Sequence, residues 1–418
     1  MGILLLSSCT NSTTSDNTNS SSTAKRTVIM WGWDDTAISA SQQQIDQEFP
    51  QFNLEYVPIS YSDYATKLRT AFSTGSDVPD IAWIYRDNRM SFFNTNQFED
   101  LSKPPYNFDI NQQFDYLHNG LTGSNGAVYG VEWSLNPTGY AYKRDLCQQY
   151  FGTSDNVQLS TILNDWDTFI SMGKKINDES NGEVFLLASL NEASQTVYSQ
   201  NQLPIIENQS INKANVTAIF TQLITMRDAN VYDRSIEQGP AYNTAYADKN
   251  HIMFLCSTWS PAYNIEPNDA SGSGNWGLLV PPGGGFSIGG VCLSIPKNAK
   301  NKQDAWDFIK WYLLSEQGGN VIKQADGEYI ALKSMYDNNQ FVSNKDPFFG
   351  GQDIGNTFFN ELNTGIAIRP ITQYDPIVLD AFNLVSQKLN SDTTFGVDDA
   401  VSMFINEVQN KANELTVD

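Results

Sequence analysis

The sequence predicts an α/β fold in two lobes, and three observations carry that prediction. Short apolar strand signals alternate with helical spacings from residue 27 onward, a helix-rich block breaks the alternation after about residue 165, and 418 residues are too many for one small core at roughly 150 residues per domain. The first element is "TVIMWGW", a β-branched and aromatic run typical of a buried strand. "DDTAISASQQQIDQEF" follows with polar starters and helical spacing, and Pro50 ends it. "FNLEYVPI" alternates as a strand, "SYSDYATKLRTAFSTG" reads as a helix closed by Gly75, and "PDIAWIY" returns to strand. Strand, helix, strand, helix, strand is the pattern of a layered α/β unit with parallel pairing.

"GAVYGVEWSLNPTGYAYKRDLC" reads as two strands around a polar bend. Helical spacing then runs from Asp165 to Asn177 and from Lys213 to Asn230, which marks a second lobe. Strand signals resume at "HIMFL", "WGLLVPP" and "GGVCLSIP". "KNKQDAWDFIKWYLLSEQGGNVI" reads as one amphipathic helix with Ala305, Phe308, Ile309, Tyr312 and Leu313 on one face, and two more amphipathic helices close the chain at 375–389 and 397–415.

Composition narrows the function classes. Forty-seven acidic residues against 25 Lys and Arg give a net charge of -22, which argues against nucleic acid as a partner, since phosphate binding draws on clustered cations. No run of 18 apolar residues occurs that would span a bilayer. Two histidines and four cysteines without a CxxC pair do not make a zinc site, and no cofactor or metal is expected. Cys256 and Cys292 sit in apolar strand-like runs, where they either pair, if those strands are neighbours, or remain buried thiols. The chain lacks a phosphate-loop motif, an H-E-x-x-H zinc motif and a G-x-S-x-G nucleophile elbow. "PPGGGFSIGG" lies between two strands and not before a helix, so it is no phosphate cradle. No enzymatic centre is expected.

The opening "MGILLLSSCT" reads as an attachment point. Leu6-Ser7-Ser8-Cys9 matches the lipobox, in which a small residue precedes the cysteine that receives diacylglycerol, so residues 1–8 are read as the remnant of a signal peptide, clipped short of a full apolar core. Residues 9–26 are then the lipidated Cys9 and a polar tether, because Thr10 to Arg26 contains no large apolar residue. The expected location is the extracellular face of the cell membrane, held there by the lipid.

Several stretches occur together and in order: "VIMWGWDD", "VPDIAWIYRDNRMSFF", "YGVEWSLNPTGYAYKRDL", "IMFLCSTWSPAYN", "WGLLVPPGGGFSIGGVCLSIPKNAKNKQDAWDFIKWYLLSEQG" and "EYIALKSMYDN". In this the chain resembles the bacterial extracellular solute-binding proteins of family 1, the sugar-type receptors of ABC importers, over about Thr27 to Leu415. The resemblance implies a periplasmic-binding-protein-like fold. An N-terminal lobe would be built from 27–133 plus 278–328 and a C-terminal lobe from 134–277 plus 329–418, with hinge crossovers between them and the ligand in the cleft. It also implies a monomeric receptor that captures a mono- or oligosaccharide by closing its lobes and delivers it to the permease subunits of an ABC transporter.

By the same resemblance, residues after the lobe strands line the cleft. These are Trp33, Asp34 and Asp35 after the first strand, Arg86 and Asp87 after "PDIAW", and Trp133 and Asn136 at the first crossover. Trp259 stands at the family's ring-stacking tryptophan, Phe286 opens the loop facing it, and Tyr374 and Asp375 lie in a late loop. A sugar presents apolar C–H faces and a rim of hydroxyls, which suits aromatic platforms with carboxylate, amide and guanidinium groups around them. The departure from the family pattern is Ser257-Thr258 before Trp259, where many members have Gly-Pro or Gly-Ser. Two other readings are compatible with the sequence: a surface glycoside hydrolase or lyase, which needs two carboxyl groups across a groove, and the same binder tuned to a polyamine or a glycerol phosphodiester.

Overall fold

The computed structural model describes residues 25–364, 366 and 369–418. Cys9, the signal-peptide remnant and nearly all of the tether lie outside the described residues. Four strands come first along the chain: β1 (Arg26–Gly32), β2 (Phe52–Pro58), β3 (Ile81–Tyr85) and β4 (Val131–Glu132). Then follow β5 (Pro137–Lys143), β6 (Phe185–Leu187), β7 (His251–Cys256), β8 (Trp276–Leu279) and β9 (Val291–Ser294). They form two separate sheets, ordered β2-β1-β3-β9-β4 and β8-β5-β7-β6. In the first, β1 pairs in parallel with β2 and β3, as the alternating pattern predicts, and β9 runs antiparallel to β3 and β4. In the second, β5 is the antiparallel partner of both β7 and β8. Every residue of β5 and β7 is buried, as expected of strands covered on both faces.

The helices that matter here are α1 (Thr36–Glu48), α2 (Tyr61–Thr74), α3 (Trp166–Glu179), α4 (Leu190–Gln200) and α5 (Lys213–Asp228), followed by α6 (Lys302–Leu314), α7 (Glu316–Asp326), α8 (Asp375–Ser391) and α9 (Val397–Lys411). α1 buries Ala37, Ile38, Ser41 and Ile45, one stripe at helical spacing, and the Ser41 hydroxyl sits 3.0 Å from that of Tyr312 on α6. The single helix predicted from 300 to 322 is instead two, broken at Ser315. Its backbone is extended, and its hydroxyl accepts the Gly318 N–H at 3.0 Å to cap α7. The break also brings residue 318 against the carbonyls of Trp311 and Tyr312, so closely that only glycine fits.

Two hydrophobic clusters follow from this layout. One is built on the first sheet with α1, α2 and α6 and reaches through the connecting segments to one side of the second sheet. The other lies between the second sheet and α3, α4, α5, α8 and α9. The chain passes from one sheet to the other at 133–136 and again at 280–290. A third connecting stretch lies against the first: Leu135 N–H donates to the Tyr329 carbonyl (2.9 Å) and Ala331 N–H to the Trp133 carbonyl (3.3 Å). Trp133 N–H in turn donates to Val291 O (2.8 Å), so the connections are joined to one another by backbone hydrogen bonds. Cys256 on β7 and Cys292 on β9 belong to different sheets, and both are buried free thiols.

Candidate functional site

A cavity of about 540 Å³ lies between the lobes, at the C-terminal ends of β1, β3 and β7 and against the connecting segments. β1 delivers the first of its walls. At Gly32 a β-carbon would run into the Tyr56 hydroxyl and the Trp83 ring, so only glycine lets the chain pass and place Trp33 and Asp34 at the cavity. Trp33 stands edge-on among Tyr61, Tyr64, Trp83 and Tyr85, with ring centroids 5.1–6.1 Å apart. The Tyr56 hydroxyl donates to the Asp34 carbonyl (2.7 Å) and accepts its N–H (3.2 Å). The Asp34 carboxylate accepts the Thr36 N–H at 2.9 Å, so this residue both faces the cavity and fixes the start of α1.

The connecting segments form the floor. Trp133 is 3% exposed, and its indole N–H donates to Glu328 at 2.6 Å, tying the first connection to the third. Asn136 is buried at the bend before β5, its amide donating to the Ser134 carbonyl (3.2 Å). Asp326 and Glu328 complete an acidic patch with Asp34, and the three are the charged residues lining this cavity, with no Lys or Arg among the described ones. Removal from water raises the carboxyl pKa of both Asp326 and Glu328; repulsion from Asp34 adds to this at Asp326 and repulsion from Asp326 adds to it at Glu328, where the Trp133 N–H acts in the opposite direction.

The second lobe supplies the facing wall. Trp259 lies just past β7, partly exposed on the cavity, and its ring stacks on no other aromatic ring among the described residues. The departure at Ser257-Thr258 has a local structural consequence. Ser257 N–H donates to the Ser260 hydroxyl (2.9 Å) and the Thr258 hydroxyl to the Leu135 carbonyl (3.0 Å), so the turn carrying Trp259 is anchored to the first connection. Tyr242, Tyr263, Asn191, Gln195 and Asn264 line the same side. Tyr242 donates to Glu192, a fully buried carboxyl also bonded by Ser189.

Of the residues expected at the site, Trp33, Asp34, Trp133, Asn136 and Trp259 therefore meet around one cavity. Arg86 and Asp87 line a neighbouring cavity of about 390 Å³. The other four lie elsewhere. Asp35 is exposed and accepts the Ser39 hydroxyl on α1 (3.2 Å). Phe286 pairs with Thr138 in the second sheet and is fully buried in the second lobe's core, so the loop's cavity-facing residues are Ile288, Gly289 and Gly290 instead. Tyr374 donates to Glu414 (3.0 Å) away from the cavities, and Asp375 is 1% exposed, paired with Arg369 (3.1 Å). Arg369 itself lines the second cavity, so Asp375 acts on it from behind. Arg89, next to these residues, is also structural: its guanidinium makes a two-pronged, buried ion pair with Glu132 at 2.7 and 2.8 Å. Asp326 and Glu328 were not expected. The available signal was the sequence "DGEYI", which starts at the last residue of α7 and enters the third connection.

Comparisons with known proteins agree with this architecture. A family model described as bacterial extracellular solute-binding protein matches residues 40–349. A solved extracellular solute-binding protein of family 1 superposes with a TM-score of 0.82 at 18% identity, covering 93% of this chain and 100% of that one. The sugar-binding protein MalE from Xanthomonas citri gives a TM-score of 0.72 at 18% identity, with coverage of 93% and 98%. The ABC transporter associated binding protein from B. animalis subsp. lactis, solved with beta-1,6-galactobiose, gives 0.71 at 17% identity, with coverage of 94% and 99%. No curated protein sequence matches the chain.

Proposed function

The chain belongs to the bacterial extracellular solute-binding proteins, the receptor class that hands a solute to an ABC importer, and on that premise we propose that its solute is a carbohydrate bound between the lobes. The observation that carries the reading is the make-up of the 540 Å³ cavity. Trp33 and Trp133 approach from the first lobe and the connection, Trp259, unstacked among the described residues, from the second, and acidic and amide side chains fill the rim between them. Aromatic faces suit the C–H faces of a pyranose, and Asp34, Asn136, Asn191 and Gln195 offer directional partners to its hydroxyls. A solute touching both lobes favours the closed arrangement by the difference in its affinity for the two states, which is all that closure requires. Titration calorimetry with a panel of mono- and oligosaccharides tests this. Saturable binding of a saccharide is expected, and absence of heat across the panel would overturn the reading.

One observation favours a second reading. Three acidic side chains and, among the described residues, no Lys or Arg line this cavity, which suits a solute bearing a protonated amine and disfavours a phosphodiester. A polyamine series in the same calorimeter decides between them. We further propose that Cys9 carries the lipid that retains the receptor at the outer face of the membrane, in keeping with the lipobox and with the extracellular family. A full-length precursor with Cys9→Ala should be released to the medium, and continued membrane retention would contradict the anchor.

A further inference from the structure

The cleft does not end at the tryptophan-walled cavity. Tyr85, Gln195, Ile288 and Gly289 line both that cavity and the one of about 390 Å³, so the two are adjoining chambers divided by these four residues. Each volume falls in the range of about 300–1,000 Å³ that holds a small-molecule ligand. The second chamber also draws on both lobes. Arg86, Asp87 and Asn88 follow β3 on one side, and Ser199 of α4 with Asp380 and Asn383 of α8 stand on the other.

Two features show groups with capacity to spare. The Arg86 guanidinium makes one long hydrogen bond, to the Ser287 carbonyl at 3.4 Å. It forms no ion pair among the described residues, whereas its neighbours Arg89 and Arg369 are taken up by Glu132 and Asp375. Five N–H donors on a planar fork are therefore largely free to meet hydroxyls. Second, Tyr61 is 54% exposed at the second chamber, and its ring lies 5.4 Å from that of Trp33 and 5.3 Å from that of Tyr85. Trp33 lines the first chamber, Tyr61 the second and Tyr85 both, so a continuous aromatic strip runs from one to the other.

We propose that the second chamber is a distal subsite for further rings of the same glycan, so that the solute is a linear oligosaccharide of two or more units and not a single sugar. One ring occupies the tryptophan-walled chamber, and the next passes between Tyr85 and Gln195 along the aromatic strip. Its hydroxyls then meet Arg86, Asn88 and Asn383. A single sugar would leave one chamber to water and the Arg86 donors without a solute partner.

This inference rests on the carbohydrate reading, and the experiment separates the two. Linear gluco-, galacto-, manno- and xylo-oligosaccharides of one to four rings are titrated by calorimetry into the wild type and into Tyr61→Ala and Asn383→Ala, both changes being on exposed side chains. Within the series that binds, affinity should rise on the order of tenfold or more between one ring and three. Each variant should weaken the trisaccharide several-fold more than the monosaccharide. A monosaccharide binding as tightly as its longer forms, or variants that weaken all lengths equally, would overturn the distal subsite while leaving the carbohydrate reading standing. Failure of every saccharide to bind at any length would overturn both.

Discussion

Replacing Trp259 by alanine should weaken saccharide binding by roughly 10- to 30-fold while leaving the unliganded protein nearly as stable as before. A buried tryptophan covers on the order of 200 Å², so one ring face laid against a sugar removes about 100 Å² from water. At about 25 cal/mol/Å² that face contributes about 2.5 kcal/mol. Trp259 is already partly covered in the unliganded protein, which reduces the gain to about 1.5–2 kcal/mol, or the stated factor in Kd. Among the described residues the indole belongs to neither hydrophobic cluster, so its removal leaves both cores packed. Trp133→Ala supplies the contrast. That ring is 3% exposed and packed against Trp83 and Tyr312 (centroids 5.0 and 5.2 Å), so its removal should cost about 3–5 kcal/mol of stability and orphan the Glu328 contact. The assay is calorimetry with the tightest-binding saccharide, paired with thermal unfolding of the unliganded variants. Trp259→Ala with affinity within twofold of wild type and unchanged stability would refute the placement of the ring against the solute.

Three further outcomes are expected from buried charges. Arg89→Met should destabilise by about 3–5 kcal/mol in denaturant unfolding because it strands the buried Glu132, and the double change with Glu132→Leu should recover most of the loss. Burial raises the Glu328 carboxyl in the folded state, so stability should fall as pH rises from the ordinary carboxylate range through that raised value; Glu328→Gln, which still accepts the Trp133 N–H, should flatten the fall in a pH series of urea melts. Burial alone would lower the His251 pKa, but its bonds to Asp233 (3.1 Å) and Asp248 (2.7 Å) outweigh burial and raise it. The stability it contributes is thus full below its ordinary value and lost as pH rises through the raised one, a slope that His251→Gln should remove from the same melts.

The parts of the fold that periodicity can express were legible in the sequence. The parallel unit of β1, α1, β2, α2 and β3 follows from hydrophobic spacing and punctuation alone, because each element buries one stripe or one strand. The break at Ser315 was not, since nothing in the spacing of "AWDFIKWYLLSEQGG" separates one bent helix from two. The deciding features are a side-chain cap and a close backbone approach at Gly318. At the site, Trp33, Asp34, Trp133 and Trp259 line one cavity because each follows a strand whose end points at the cleft. Phe286 lies in the core because a loop residue can turn its side chain inward while its neighbours Ile288, Gly289 and Gly290 line the cavity. Asp326 and Glu328 escaped because the third connection lies almost 200 residues from the first, and only tertiary hydrogen bonding joins them.

The most direct measurement is the crystal structure of the protein grown with the saccharide that binds most tightly in calorimetry. Sugar rings are expected between the lobes, with one against Trp259 in the tryptophan-walled cavity and the glycan continuing past Tyr85 towards Arg86. A bound solute outside the cleft, or one seated there without touching Trp259, would contradict this.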